Sequence, residues 1–155
     1  MRGKEPKSCT KLTPPPACNL RLNNVALAIG DLNAMIASYE SRLGFVVTER
    51  GHFDAVAADY AMLEAAGLRI ELVSRTGAVP RPVDRTPPPD HLSVLGFKAL
   101  AFETDDLAAT TAALMEQGVE TVWADQPLTT ERRSTMLRDP DGNLIHIFGP
   151  LVRGV

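Results

Sequence analysis

Cysteine is nearly absent from this sequence. Cys9 and Cys18 are the only two in 155 residues, and both stand in the first 18 positions. No histidine or further cysteine lies near them, so they make a poor zinc site. A disulfide there would close nothing but that segment. The reading is a reduced, cytoplasmic protein. Aromatic residues are scarce at 5%, which argues against a site driven mainly by ring stacking. No apolar run is long enough to cross a bilayer. The leading segment, rich in Lys, Ser, Thr and Pro, has no apolar core of a secretory signal. No basic run and no interleaving of aromatic with basic residues marks a nucleic-acid surface, and the net charge is −3. The expectation is therefore no membrane and no nucleic acid.

What is present suits a globular chain: 45% hydrophobic and 23% charged residues, in a length fit for one domain or two small modules sharing a core. The sequence repeats itself. "NVALAIGDL" (24–32) matches "ALAFETDDL" (99–107), with Asp31 on Asp106 and Leu32 on Leu107, 75 residues apart. "AGLRIELV" (66–73) matches "DGNLIHIF" (141–148) at the same spacing, which sets Gly67 on Gly142, Ile70 on Ile145 and Glu71 on His146. "DYAML" (59–63) falls on "STMLR" (134–138) at that offset too. A helical stretch follows each Asp-Leu pair, at 33–44 and 108–118. Asp31 and Asp105 or Asp106 are N-cap candidates, and each stretch ends at a glycine, Gly44 or Gly118. Each copy reads strand, helix, then two or three strands, and a Pro-rich segment joins the copies.

Strand alternation assigns the faces. Val25, Leu27 and Ile29 share one side, as do Leu100 and Phe102; these bulky sets belong under the helices. The opposite side carries Asn24, Ala26 and Ala28 in the first copy and Ala99 and Ala101 in the second. In the last strand of each copy Ile70/Leu72 and Ile145/Ile147 face the helix, so Glu71 and His146 point to the small-residue side. A lone histidine in mid-strand is ordinarily a satisfied core or edge residue. Two ionisable side chains at equivalent points of a repeat, both aimed at a roomy face, point instead to a shared cleft.

These residues carry a family resemblance. "NVALAIGDL…SYESRLGF", "LRIELV", "ALAFETDDL…LMEQGV" and "LRDPDGNLIHIF" resemble the vicinal oxygen chelate superfamily, which includes glyoxalase I, methylmalonyl-CoA epimerase, extradiol dioxygenases and bleomycin- and fosfomycin-resistance proteins. The resemblance spans about residues 20–150 and implies an α+β fold: two tandem βαβββ modules forming a curled mixed sheet around a cleft, with helices on the convex side. By composition and the repeat, the expected division is a flexible tail at 1–18, a first module at 19–76, a Pro-rich linker at 77–95 and a second module at 96–155. The resemblance also implies metal positions at Asn24, Glu71, Ala99 and His146. Glu71 matches well, Asn24 is a weak ligand and Ala99 cannot bind at all. Glu71 and His146 would hold at most a weakly bound divalent metal (Zn, Ni, Mn or Fe), and no cofactor is firmly implied.

Without metal, Glu71 and His146 facing each other across the cleft would form a proton-transfer pair, the carboxylate raising the histidine pKa. They would act next to the carbonyl of a small apolar substrate, as an isomerase, epimerase or lyase does. Asn24, Ala26, Ala28, Ala99, Ala101 and His91 would line the site, His91 from the rim. Asn24, Lys98, His91 and Arg69 are the candidate oxyanion donors. The rival reading is a non-catalytic, antibiotic-type binding protein of the same fold. His52 is expected at the surface and Tyr39 in the core. At most one of Arg132 and Arg133 reaches the cleft; Trp123 lines it or packs elsewhere. The expected assembly is a homodimer, with modules paired within one chain or across two.

Overall fold

The computed structural model describes residues 22–80, 86 and 89–151. The expected tail lies outside them, as do linker residues 81–85 and 87–88. One order of elements occurs twice. The first set is β1 (Val25–Ile29), α1 (Leu32–Leu43), β2 (Val46–Phe53), β3 (Ala58–Ala65) and β4 (Leu68–Arg75). The second is β5 (Ala99–Glu103), α2 (Leu107–Glu116), β6 (Thr121–Pro127), β7 (Arg133–Arg138) and β8 (Leu144–Phe148). Each set makes its own four-stranded mixed sheet, β1-β4-β3-β2 and β5-β8-β7-β6. The fold is α+β with a duplicated βαβββ order. β1 runs parallel to β4 and β5 to β8, a pairing that requires the crossover the helix supplies.

The helices start and stop where short-range chemistry dictates. Asp31 accepts a hydrogen bond from the Ala34 N–H, and Asp106, rather than Asp105, does the same for Ala109. Gly44 ends α1 in the left-handed region at φ 69°. Met35, Ile36 and Tyr39 form the buried stripe of α1 and pack with Leu63, Ile70 and Leu72 of the first sheet. Leu107 and Leu114 of α2 pack with Leu137, Ile145 and Ile147 of the second. The helix-facing sets inferred from alternation are thus the buried ones.

One part of the repeat differs from its sequence alignment. Residues of β1, β4, β5 and β8 keep the 75-residue spacing: Val25 pairs Ile70, and Leu100 pairs Ile145. The third strand of each copy does not keep it. Met62 stands beside Glu71, and Met136, not Leu137, stands beside His146. The hairpins explain the slip. β3 and β4 close around the pair Ala66–Gly67, both at positive φ, whereas β7 and β8 close around the longer turn 139–143. A slip of one residue exchanges faces. Burial agrees with the structural register, since Leu63 and Leu137 are both in the core.

The two modules meet on their helix side. Leu100 and Phe102 of β5 pack against the first core, and Phe45 meets Phe102 edge-on at 6.1 Å between ring centroids. Polar contacts come from the "DPDGN" turn. Asp139 accepts hydrogen bonds from Tyr39 Oη (3.2 Å), from the Asp141 and Asn143 amides (3.0 and 2.8 Å) and from Asn143 Nδ2 (2.9 Å). Asp141 accepts one from the Gly30 amide at 2.9 Å. Burial, and then the adjacent Asp139 carboxylate, raise the Tyr39 pKa far above its ordinary value.

Tyr39→Phe should lower unfolding stability in urea by about 1–2 kcal/mol, and Asp139→Ala, which strands several donors, by about 3 kcal/mol. The folded tyrosine holds its proton where the unfolded one loses it. Wild-type stability should therefore fall as pH rises above 10.0, the ordinary tyrosine value, and Tyr39→Phe should flatten that fall.

Candidate functional site

The sheet faces turned away from the helices carry the predicted residues. On the first sheet, Asn24, Ala26 and Ala28 lie beside Glu71, with Ala26 its direct neighbour in the parallel pair. Asn24 Nδ2 donates to Glu71 Oε2 at 2.9 Å. Oε1 has no protein partner among the described residues. Further along this face Phe53 stacks on Tyr60 at 4.2 Å, and the Tyr60 ring lies over Gly51, where an added Cβ would meet it at 2.7 Å. The Tyr60 hydroxyl donates to Glu49, which raises its pKa. Arg69 is engaged by Glu64 and Glu49 at 3.3 and 3.7 Å, which removes it from the oxyanion donors.

On the second sheet Ala101 is the parallel neighbour of His146, and Met136 its antiparallel neighbour. The His146 ring sits 4.1 Å from Phe148 and 5.5 Å, edge-on, from Trp123. Trp123 therefore lines this face, and its Nε1 donates to Ser134. Arg132 lies over the Phe148 ring at 5.0 Å and near Glu103, while Arg133 pairs with Asp125. One arginine of the adjacent pair thus reaches the face, as strand alternation requires.

Two expectations need correction. His91 is not a rim residue: it sits in a single 3₁₀ turn, Asp90–Ser93, and is only 8% exposed. The turn folds the linker histidine inward, a placement that sequence composition does not encode. Within one chain, moreover, Glu71 and His146 are not hydrogen-bonded, and the His146 pKa is lowered rather than raised. Burial lowers it first, then the neighbouring His91. His146 is not a satisfied core histidine either, because its buried Nε2 has no hydrogen-bond partner among the described residues; nor has Nδ1 of His91. His52 is at the surface, bonded to Asp59 at 2.7 Å, as expected.

Residues 21–147 match the model of the Glyoxalase/Bleomycin resistance protein/Dioxygenase superfamily. The chain belongs to that superfamily. A glyoxalase family protein from Enterococcus faecalis superposes with a TM-score of 0.68 at 24% identity, over 83% of this chain and 96% of that one. The trypanothione-dependent glyoxalase I of Leishmania major does so at 0.66 and 19%, over 84% and 86%. The fosfomycin resistance protein of Listeria monocytogenes, solved with Mn(II), gives 0.60 and 17%, over 82% and 90%. At these identities the likeness is one of fold. Comparison with curated proteins finds no match.

A divalent metal in the superfamily's manner does not fit the residues present. Ala99 has no donor atom, and Asn24, whose Nδ2 donates to Glu71, could offer only its amide oxygen, a weak ligand. Among the described residues no three of His, Cys, Asp or Glu converge. Because such sites need about three protein ligands, dialysed protein should keep well under one equivalent of Zn, Ni or Fe by elemental analysis. Ala99→His should raise Zn(II) affinity by about tenfold or more if position 99 faces the same space as His146.

Proposed function

We propose that the chain is a glyoxalase-like enzyme, an isomerase, epimerase or lyase that moves a proton at a carbon next to the carbonyl of a small, largely apolar substrate. The Asn24–Glu71 contact carries this reading. A carboxylate held at one oxygen by an amide, its other oxygen free, on a floor of alanines, is an oriented base with room for substrate. Glu71 takes the C–H proton, and the electron pair it leaves becomes an enolate whose oxygen accepts a hydrogen bond. His146 is the donor. Its lowered pKa keeps the imidazole neutral at neutral pH, so it stabilises the oxygen as a neutral acid rather than as an imidazolium. Glu71 and His146 belong to different sheets. The reading places them on either side of one cleft in a homodimer of this cytoplasmic protein, the first sheet of one chain facing the second sheet of the other.

The second reading, a binding protein without chemistry, is favoured by one observation. Phe53, Tyr60, Trp123 and Phe148 all lie on the open faces, so a chain poor in aromatics concentrates them where a planar ligand would stack.

Loss of α-protons from candidate ketones and thioesters in D₂O, followed by NMR, separates the two. Glu71→Gln and His146→Ala should each slow exchange by at least about 10²-fold with the fold intact. Exchange by the double variant at the wild-type rate would remove both residues from the chemistry. Since neutral His146 is required and its pKa is lowered, the acid limb of the rate profile should lie below pH 6.5. A binding protein would show no exchange at all, and would lose ligand affinity on Ala26→Leu or Ala101→Leu.

A further inference from the structure

His146 is held by rings. Phe148 lies 4.1 Å from it between centroids, and Trp123 meets it edge-on at 5.5 Å and 86°. Its Nε2 is buried and has no hydrogen-bond partner among the described residues, whereas Nδ1 is not a buried orphan. The indole is itself fixed. Trp123 Nε1 donates to Ser134 Oγ at 3.1 Å, and Ser134 is fully buried. Ser134 is in turn the cross-strand partner of Phe148, and Met136 stands between Trp123 and His146 in the register. Trp123, Ser134, Phe148 and His146 therefore close a circuit on one sheet face, spanning β6, β7 and β8.

We propose that Trp123, braced by Ser134, is a positioning residue that holds His146 as its Nδ1–H tautomer, so that Nδ1 is the nitrogen offered to a ligand. A histidine χ2 torsion has two broad settings half a turn apart, and that half-turn carries both nitrogens to the other side of the ring axis. At Nε2 no hydrogen bond to a described residue makes the choice, which leaves it to the packed rings. A neutral imidazole then has one N–H to place. Buried N–H groups left without an acceptor are rarer than buried acceptors left unfilled. The proton therefore belongs on Nδ1 and the lone pair on the buried Nε2, the reverse of the preference of free histidine. The chemical role rests on the proposed proton transfer: the enolate oxygen accepts from Nδ1–H, and the imidazole stays neutral throughout. The tautomer itself needs no substrate.

The test reads the tautomer without substrate or metal. Full-length protein labelled with ¹⁵N-histidine is treated with a chelator and followed by long-range ¹H–¹⁵N correlation NMR at about pH 8.5, above the ordinary histidine range. The signals of His146 are those lost in His146→Gln. Wild type should show Nδ1–H over Nε2–H by about tenfold or more, the bias that a stranded buried N–H sets. Trp123→Leu should remove most of that bias and bring the two forms within about threefold of each other. Ser134→Ala, a small change that leaves the indole in place but unbraced, should shift the ratio the same way by about twofold or more. A dominant Nε2–H form in wild type, its proton directed at the indole face, would overturn the assignment. So would an unchanged ratio in Ser134→Ala and in folded Trp123→Leu. A ratio that shifts as expected, in a protein that exchanges no α-proton of any candidate, upholds the positioning role and overturns only the proton-transfer reading.

Discussion

The architecture depends on one buried carboxylate. Asp139 is 5% exposed and is satisfied by the Tyr39 hydroxyl, two amides of its own turn and the Asn143 side chain. It therefore does two jobs at once. It shapes the "DPDGN" turn that launches β8, and it ties that turn to α1 of the other module. Together with the Asp141–Gly30 contact, it fixes the second module's last strand against the first module's entry into its helix. The apolar contacts through Leu100, Phe102 and Phe45 then set the distance between the cores. With the modules joined on their helix side, the opposite faces stay open, and Glu71, His146, Ala26, Ala28, Ala99 and Ala101 are carried by strands of those faces, with Asn24 just before β1.

The two open faces have diverged in a consistent electrostatic sense. The first keeps a carboxylate, Glu71, steadied by an amide. At the equivalent point the second has an imidazole, and an alanine stands where the first has Asn24. The one-residue slip of β3 and β7 preserves a methionine next to each: Met62 by Glu71 and Met136 by His146. One face is thus built around an anion and the other around neutral, polarisable groups.

Much of this is legible in the sequence, because local chemistry writes it there. The caps at Asp31 and Asp106, the stop at Gly44 and the alternation that hides Ile70 and Ile145 all act over a few residues. The duplication follows from the matching spacing of Asp-Leu and Gly-Ile pairs. What is not legible depends on longer loops or on tertiary contact. The slip of β7 comes from a hairpin turn of different length, which an ungapped alignment cannot register. Tyr39 reads as a core residue, yet its hydroxyl needs a buried acceptor 100 positions away. His91 sits among prolines and polar residues, a context that describes a loop and says nothing of a side chain turned inward. The composition also misleads about aromatics: 5% is low for the chain, but half of those rings lie on the open faces.

The contrast between the faces constrains how a ligand would sit between them. A carboxylate repels electron-rich groups and accepts an acidic proton, so under the proposed function the polarised C–H end of a substrate would belong on the Asn24–Glu71 side. Phe148, Trp123 and the His146 ring offer flat apolar surface with one nitrogen that has no partner among the described residues. An apolar body and a single carbonyl oxygen suit that side better than a second anion does. Arg132, which lies over the Phe148 ring, is near Glu103, which lessens its pull on a ligand carboxylate. Under the proposed proton-transfer function, a neutral carbonyl compound with one acidic carbon would match both faces at once. A strongly anionic ligand such as a phosphonate matches neither, although a structural neighbour from Listeria was solved with one. Superfamily membership gives the fold; under the proposed function, the groups at positions 71 and 146 would decide what is admitted between the faces.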